Sequence, residues 1–405
     1  MAGTMSRPRA LIIGGSVGGL FAAALLRTIG WDVAVFERSG GDLSERGAGL
    51  GATPELFAVL ERIGVALDAA IMGHVRGRIF LGRDGSVLHE LPRDSKTSSW
   101  GQLYRALRAI VPASCYRGGT ALARVEQDAH GVTAVLADGS RMTGDLLIGA
   151  DGLFSTVRRQ FLPGVEPAYA GYVGWRGIVR EDDLPPEVRE TIAERLTFCG
   201  DDGELVVCVP MAGAEPPGRR RLHYTWYRWA DFLRTLPDLC TDAQGRCHGV
   251  TIPPPMVRQD LIDALIADAE ASLAPQIATA VARGSRPFLQ PIWDMESPRI
   301  EFGRVVLVGD AAFVARPHVA TGVSKAALDV QYLVDALARD SDIDAALDRY
   351  AQGRGRFGQS LVARGRHLGA WIKPADAARE SPPAEHKSRI ATLLHEYGAA
   401  GVIGM

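Results

Sequence analysis

Hydrophobic and polar positions fall into a short apolar run at Leu11–Ile13, a glycine-rich hexapeptide, an alanine- and leucine-rich stretch and a second apolar run. This pattern predicts a buried strand over Arg9–Ile13, a tight turn over Gly14–Gly19, a helix over Leu20–Ile29 and a second strand over Asp32–Phe36. Together they form a βαβ unit. Period-two alternation then predicts a hairpin over Gly77–Leu91 about Arg83-Asp84-Gly85-Ser86. A meander follows from Ala121 through Leu136, with turns at His130-Gly131 and Ala137–Ser140, and it ends in the apolar strand Asp145–Gly149.

Further strands are expected at Gly171–Val179, Leu196–Gly200, Glu204–Pro210 and Arg221–Trp229, several of them rich in aromatics. They imply a second, sheet-based domain. Asp238–Pro255, with three consecutive prolines, reads as a long connection. Beyond it come a buried strand at Val305–Val308, a Gly-Asp turn, a helix at Val323–Ala338 and an arginine-rich helix over Ile343–Ile372. Glu380–Met405 carries little pattern and reads as a tail.

Composition narrows the class. The 405 residues are 47% hydrophobic and 23% charged with a formal net charge of -2, which argues against a nucleic-acid partner and for a small ligand. No long apolar stretch suggests a membrane span and the first ten residues do not read as a secretion signal, so a cytoplasmic enzyme is expected. The five cysteines are scattered and read as reduced thiols; Cys240, Cys247 and His248 lack a second ligand pair, and no metal is expected.

Three separated motifs carry chemistry. In Gly14-Gly15-Ser16-Val17-Gly18-Gly19, small residues at a helix N-terminus let backbone amides approach a pyrophosphate, with Ser16 in the place of a middle glycine. About 20 residues on, Glu37 ends the second strand, where a carboxylate accepts both ribose hydroxyls of an adenosine and disfavours a 2'-phosphate. The second motif, Gly149–Arg158, contains Asp151 and Ser155, either of which also serves as an ordinary helix cap. The third, Gly309-Asp310-Ala311-Ala312, leads into Pro317-His318-Val319-Ala320-Thr321-Gly322. A carboxylate at a strand end takes polyol hydroxyls, and free amides ahead of a helix favour a developing negative charge.

In this order and spacing, the motifs resemble the class A, single-component flavin-dependent aromatic hydroxylases, the p-hydroxybenzoate hydroxylase fold, over about residues 8 to 372. The segments Tyr169–Gly177 and Arg316-Pro317-His318 are similar to the branch of that family that hydroxylates dihydroxypyridines. The resemblance implies an α/β fold: a doubly wound, glutathione-reductase-like FAD-binding domain (1–75, 100–165 and 290–340), a mixed β-sheet substrate domain (76–99 and 166–289), and C-terminal helix and tail (341–405). It implies that Gly14–Gly19 and Glu37 hold the ADP half of FAD, that Asp310 binds the ribityl chain, and that Gly322 and Val323, after Pro317, face the flavin N1–C2=O edge. Asp151 falls in the segment used for both FAD and NAD(P)H. Arg38 and Arg46 are further contacts or plain surface arginines. Trp100 and Phe313 depart from the arginine and histidine that many relatives carry, leaving a less cationic flavin environment.

The implied reaction uses NADH or NADPH and O2 to hydroxylate a small aromatic ring through a C4a-hydroperoxyflavin. His318 is the candidate base or substrate hydrogen-bonder, histidine being the proton carrier of neutral pH. Arg176, Tyr224, Trp226 and Tyr227 lie on strands of the substrate sheet; Tyr224 and Trp226 share a face and form either a stacking wall or core. Epoxidation on the same fold, halogenation (disfavoured because W-x-W-x-I-P is missing) and a non-catalytic flavin-binding redox protein are the competing readings, and a homodimer is left open.

Overall fold

The computed structural model describes residues 7–44, 49–65, 72–129, 131–201, 203–212, 220–249, 251–340, 342–372 and 383–397, with side chains in the last stretch from 390 onward. Strand β1 (Arg9–Ile13), helix α1 (Val17–Thr28) and strand β2 (Asp32–Phe36) form the opening βαβ unit, Ile13 pairing in parallel with Phe36. Of the ten residues from Val17 to Leu26 all but Gly18 are buried, and eight of those nine are apolar side chains, so α1 lies sandwiched rather than on the surface. Next come β3 (Gly49–Ala52), α2 (Pro54–Arg62), β4 (Met72–Leu81), β5 (Val87–Ser99), α3 (Trp100–Ile110) and β6 (Tyr116–Arg117). The meander β7 (Leu122–Asp128), β8 (Gly131–Leu136) and β9 (Arg141–Gly144) makes a three-stranded sheet.

Strand β10 (Leu146–Gly149) leaves that meander, against expectation, and inserts in parallel beside β1. Its four residues are all buried, and a run buried on both faces suits the centre of a parallel sheet. After α4 (Thr156–Phe161) the chain builds β11 (Ala168–Arg180), α5 (Pro186–Ile192), β12 (Arg195–Cys199), β13 (Glu204–Ala212) and β14 (Arg220–Trp229). Then follow α6 (Thr235–Leu239), α7 (Gln259–Ser272), α8 (Pro275–Ala282), β15 (Phe288–Glu296), β16 (Val305–Leu307) and β17 (Phe313–Val314). The chain ends in α9 (Gly322–Arg339), α10 (Ile343–Gly369) and α11 (Pro383–Glu396).

Two large sheets result. A parallel sheet runs β16-β10-β1-β2-β6, and a mixed sheet runs β17-β15-β11-β14-β13-β12-β4-β5-β3. Gly49–Ala52 and Phe288–Glu296, which the sequence reading gives mostly to the flavin-binding part, pair in the nine-stranded sheet. The stretch read as a patternless tail contains α11, whose Ile390, Leu393 and Leu394, with Tyr397 beyond, are buried against that sheet. Among the described residues no helix is long and apolar enough to cross a membrane.

Candidate active site

The glycine turn has the form a pyrophosphate requires. Gly14 has φ +105°, and a Cβ there would overlap the Ala150 carbonyl oxygen; a Cβ at Gly19 would overlap the Gly14 carbonyl. Ser16 caps α1 with extended backbone and without a side-chain cap bond, and the first intrahelical donor is the Leu20 amide. The amides of Val17, Gly18 and Gly19 therefore lack intrahelical acceptors. Glu37, at the end of β2, accepts from the Gly15 amide at 2.7 Å and the Ser39 amide at 2.8 Å, which fixes its carboxylate beside the turn.

A hollow of about 460 Å³ adjoins Glu37's neighbour Ser39, lined by Asp42, Tyr104, Arg105, Arg108 and Tyr116 among others. Trp100, standing where many relatives have arginine, stacks on Tyr104 with centroids 5.3 Å apart, while Arg105 and Arg108 of α3 bring cations to this hollow. Arg38 is exposed beside Glu37, and Arg46 lies outside the described residues.

Asp151 is committed to its own turn. Its carboxylate accepts from Ser155 Oγ at 2.5 Å and the Thr156 amide at 2.7 Å, while Ser155 in turn caps Arg158 N. Burial raises its pKa against these bonds. The sequence offered Asp151 or Ser155 as the cap, and both serve. A residue that sequence reasoning passed over ties the motifs together: Arg158, fully buried, donates to the carbonyls of Leu153 and Ala311. Asp310, by contrast, has a half-exposed carboxylate, 3.5 Å from Lys325 Nζ, and is free to accept hydroxyls. Behind it the Gly309 amide bonds Asp329, itself paired with Arg354 at 2.7 Å.

The head of α9 supplies the remaining polar edge. Pro317 opens a helical turn through His318 and Val319, and Ala320 then adopts left-handed backbone at φ 49°. The first intrahelical donor of α9 is Lys325, so the amides of Gly322 and Val323 have no helical acceptor, and Thr321 Oγ1 is buried without a partner. An orphaned buried hydroxyl beside free amides, with a glycine turn that tolerates no Cβ, fits the two ends of an FAD.

Strand register assigns the predicted substrate residues to faces. Gly174 lies opposite Tyr227, Arg176 opposite Thr225 and Ile178 opposite His223 on one face; Trp175 opposite Trp226 and Gly177 opposite Tyr224 occupy the other. Tyr224 and Trp226 do share a face, as expected, but it is the face covered by α7 and α8, where they join a core with Ile262, Leu265 and Ile277. They are core, not substrate wall. Two helices that the sequence reading did not predict decide this.

Arg176 and Tyr227 face His318. The Tyr227 and His318 ring centroids are 4.7 Å apart, Tyr172 bonds His318 Nε2 at 2.6 Å, and Tyr227 hydrogen-bonds both Arg176 and Tyr397. Burial first, then the charges of Arg316 and Arg176, push the His318 pKa down to about 3, so its imidazole is neutral at physiological pH. Of the two roles expected of it, base and substrate hydrogen-bonder, a ring held neutral to about pH 3 is a weak base and suits the second. Tyr397, for which sequence reasoning had no signal, follows α11 directly: Arg78, buried on β4, donates to the carbonyls of Leu394 and Tyr397, each at 2.6 Å.

Comparison with known proteins agrees with this geometry. The chain matches the FAD binding domain family over residues 7–231 and 262–365. It is 30% identical over 382 residues to 2,6-dihydroxypyridine 3-monooxygenase of Paenarthrobacter nicotinovorans, covering 93% of this chain and 94% of that protein. It is also 30% identical over 359 residues to 3-amino-4-hydroxybenzoate 2-monooxygenase of Streptomyces cremeus, covering 84% and 82%. The structure of 2,6-dihydroxypyridine-3-hydroxylase from Arthrobacter nicotinovorans superposes with a TM-score of 0.86 at 28% identity, covering 94% of this chain and 96% of that one. Klebsiella pneumoniae HpxO complexed with FAD and uric acid shares the fold, with a TM-score of 0.77 at 24% identity over 98% and 95%. With its glycine turn, the orphaned polar groups at the head of α9 and these relatives, the chain belongs to the FAD binding domain family and is an FAD-dependent aromatic-ring monooxygenase.

Proposed function

We propose that the enzyme hydroxylates a hydroxypyridine-type ring, bound between the head of α9 and the β11–β14 face. The observation that carries this reading is a pair of buried, unpartnered side-chain nitrogens, Arg176 Nε and His318 Nδ1, where the β11–β14 face that also holds Tyr172, Tyr227, Thr225 and His223 meets the turn before α9. Buried donors without acceptors are costly unless a ligand satisfies them. A flat ring bearing an ionisable oxygen does so while its faces pack against the tyrosines. The relatives named for 2,6-dihydroxypyridine and 6-hydroxynicotinate support the same choice.

FAD, when bound, supplies reducing equivalents drawn from NAD(P)H and the activated oxygen for insertion. Arg176 stabilises the anionic ring oxygen, which makes the ring electron-rich. His318, held by Tyr172, donates its Nδ1 proton to the same oxygen as a neutral group, and Phe80, Phe198 and Ile292 keep the region dry. All five cysteines are free, which supports operation in a reducing compartment such as the cytoplasm.

The test is to purify the protein, measure NAD(P)H oxidation with hydroxylated pyridines and benzoates, and weigh the product formed under labelled O2. Stimulation by hydroxypyridines with one labelled oxygen in the product is expected. Unlabelled product, or stimulation by benzoates alone, defeats the reading.

A further inference from the structure

The wall described above holds a third orphan. His223 is 3% exposed, its Nε2 has no hydrogen-bond partner, and it shares the face of Arg176 and Tyr227. Its strand neighbours on that face are Val209 and Ile178, a Cβ at Gly49 would lie 3.5 Å from its own Cβ, and Arg176 is the charged group acting on it. Among the described residues no protein group answers Nε2.

The three orphaned nitrogens are spread along the sheet. His318 packs on Tyr227, Arg176 stands in the middle of the face, and His223 lies four residues from Tyr227 on the same strand. At roughly 3.4 Å per residue that separation is about 14 Å between backbones, and Arg176, opposite Thr225, stands midway between the two ends. A ring with a single oxygen satisfies Arg176 and His318 and leaves Nε2 of His223 bare.

Resting on the hydroxypyridine reading above, we infer that His223 is a specificity-determining residue, bonding through Nε2 a second polar substituent on the ring edge away from His318. The substrate is then a dioxygenated ring rather than a monohydroxylated one. A site built to bond a substituent rejects the analogue that lacks it, because its own buried group is left unpaired.

The experiment is equilibrium dialysis of 2,6-dihydroxypyridine and 2-hydroxypyridine against the FAD-loaded wild type and its His223→Gln and His223→Asn variants. A glutamine amide reaches the Nε2 position and an asparagine amide does not, yet both are polar and of similar burden to the fold. The wild type and His223→Gln are expected to prefer the dihydroxylated ring tenfold or more, and His223→Asn to bind the two rings within about twofold. A preference retained in His223→Asn, or missing from the wild type, overturns the inference. Wild-type turnover reports separately on the reaction: binding that depends on His223 without any hydroxylation would sink the proposed chemistry and leave this assignment standing.

Discussion

Tyr172 and His318 share a buried hydrogen bond of 2.6 Å between the phenol oxygen and Nε2, which leaves Nδ1 as the unpartnered nitrogen of the ring. The bond fixes the ring's orientation, and on the proposed function His318 is a positioned contact for substrate. Replacing His318 by glutamine should lower kcat/KM about tenfold or more. Because the imidazole is neutral well above its depressed pKa of about 3, its removal should not reshape the profile between pH 6 and 8. Oxygen uptake followed against pH reads both quantities, and unchanged hydroxylation at every pH removes the role.

The same burial makes His318 a liability in acid. Above about pH 6.5 the imidazole is neutral in folded and unfolded chains alike, so nothing is lost. As the pH falls below that value the unfolded chain takes a proton that the folded one refuses until about 3, and stability declines across that window. At pH 5 the loss is about 2 kcal/mol, and His223, also held well below its ordinary value by burial, adds in the same direction. His318→Gln should lose less stability than the wild type between pH 7.5 and 5, as judged from denaturant midpoints. The opposite order would contradict the assignment of a neutral buried ring.

Arg176 supplies the charge that His318 does not. Arg176→Gln should cut kcat/KM for an ionisable ring about a hundredfold, and Arg176→Lys should recover part of it, since the charge returns without the planar fork. Steady-state kinetics on substrates with and without an ionisable hydroxyl would check this. An equal loss on both kinds of ring would make Arg176 a structural residue.

Gly19→Ala tests the flavin end independently of catalysis. The added methyl overlaps the Gly14 carbonyl oxygen at the turn that presents the α1 amides. The variant should purify colourless or lose flavin on dialysis, with visible absorbance as the readout. Full retention of the yellow cofactor would show that the turn relaxes without consequence.

What the sequence disclosed follows the range of the interactions involved. The β1–α1–β2 unit and Glu37 are legible because a tight turn and a strand end are local requirements, set by Gly14, Gly19 and the apolar runs beside them. The shared face of Tyr224 and Trp226 is equally local, being a matter of strand parity. Which face meets the flavin is not local: it depends on α7 and α8 packing over one side, through Ile262 and Leu265. Arg158 and Tyr397 escaped notice because their partners lie in other elements, Ala311 for Arg158 and Tyr227 for Tyr397, and His223 because only its packing against other strands leaves Nε2 buried and unanswered.

The grip of Arg78 on the end of α11 sets an order of assembly. Every group assigned to the flavin, from Gly14 to Val323, has left the ribosome before Tyr397 is made, whereas the face proposed to meet the substrate waits for Tyr397. A nascent chain halted after α9 would therefore hold the parts for the cofactor while its ring pocket stood open to water.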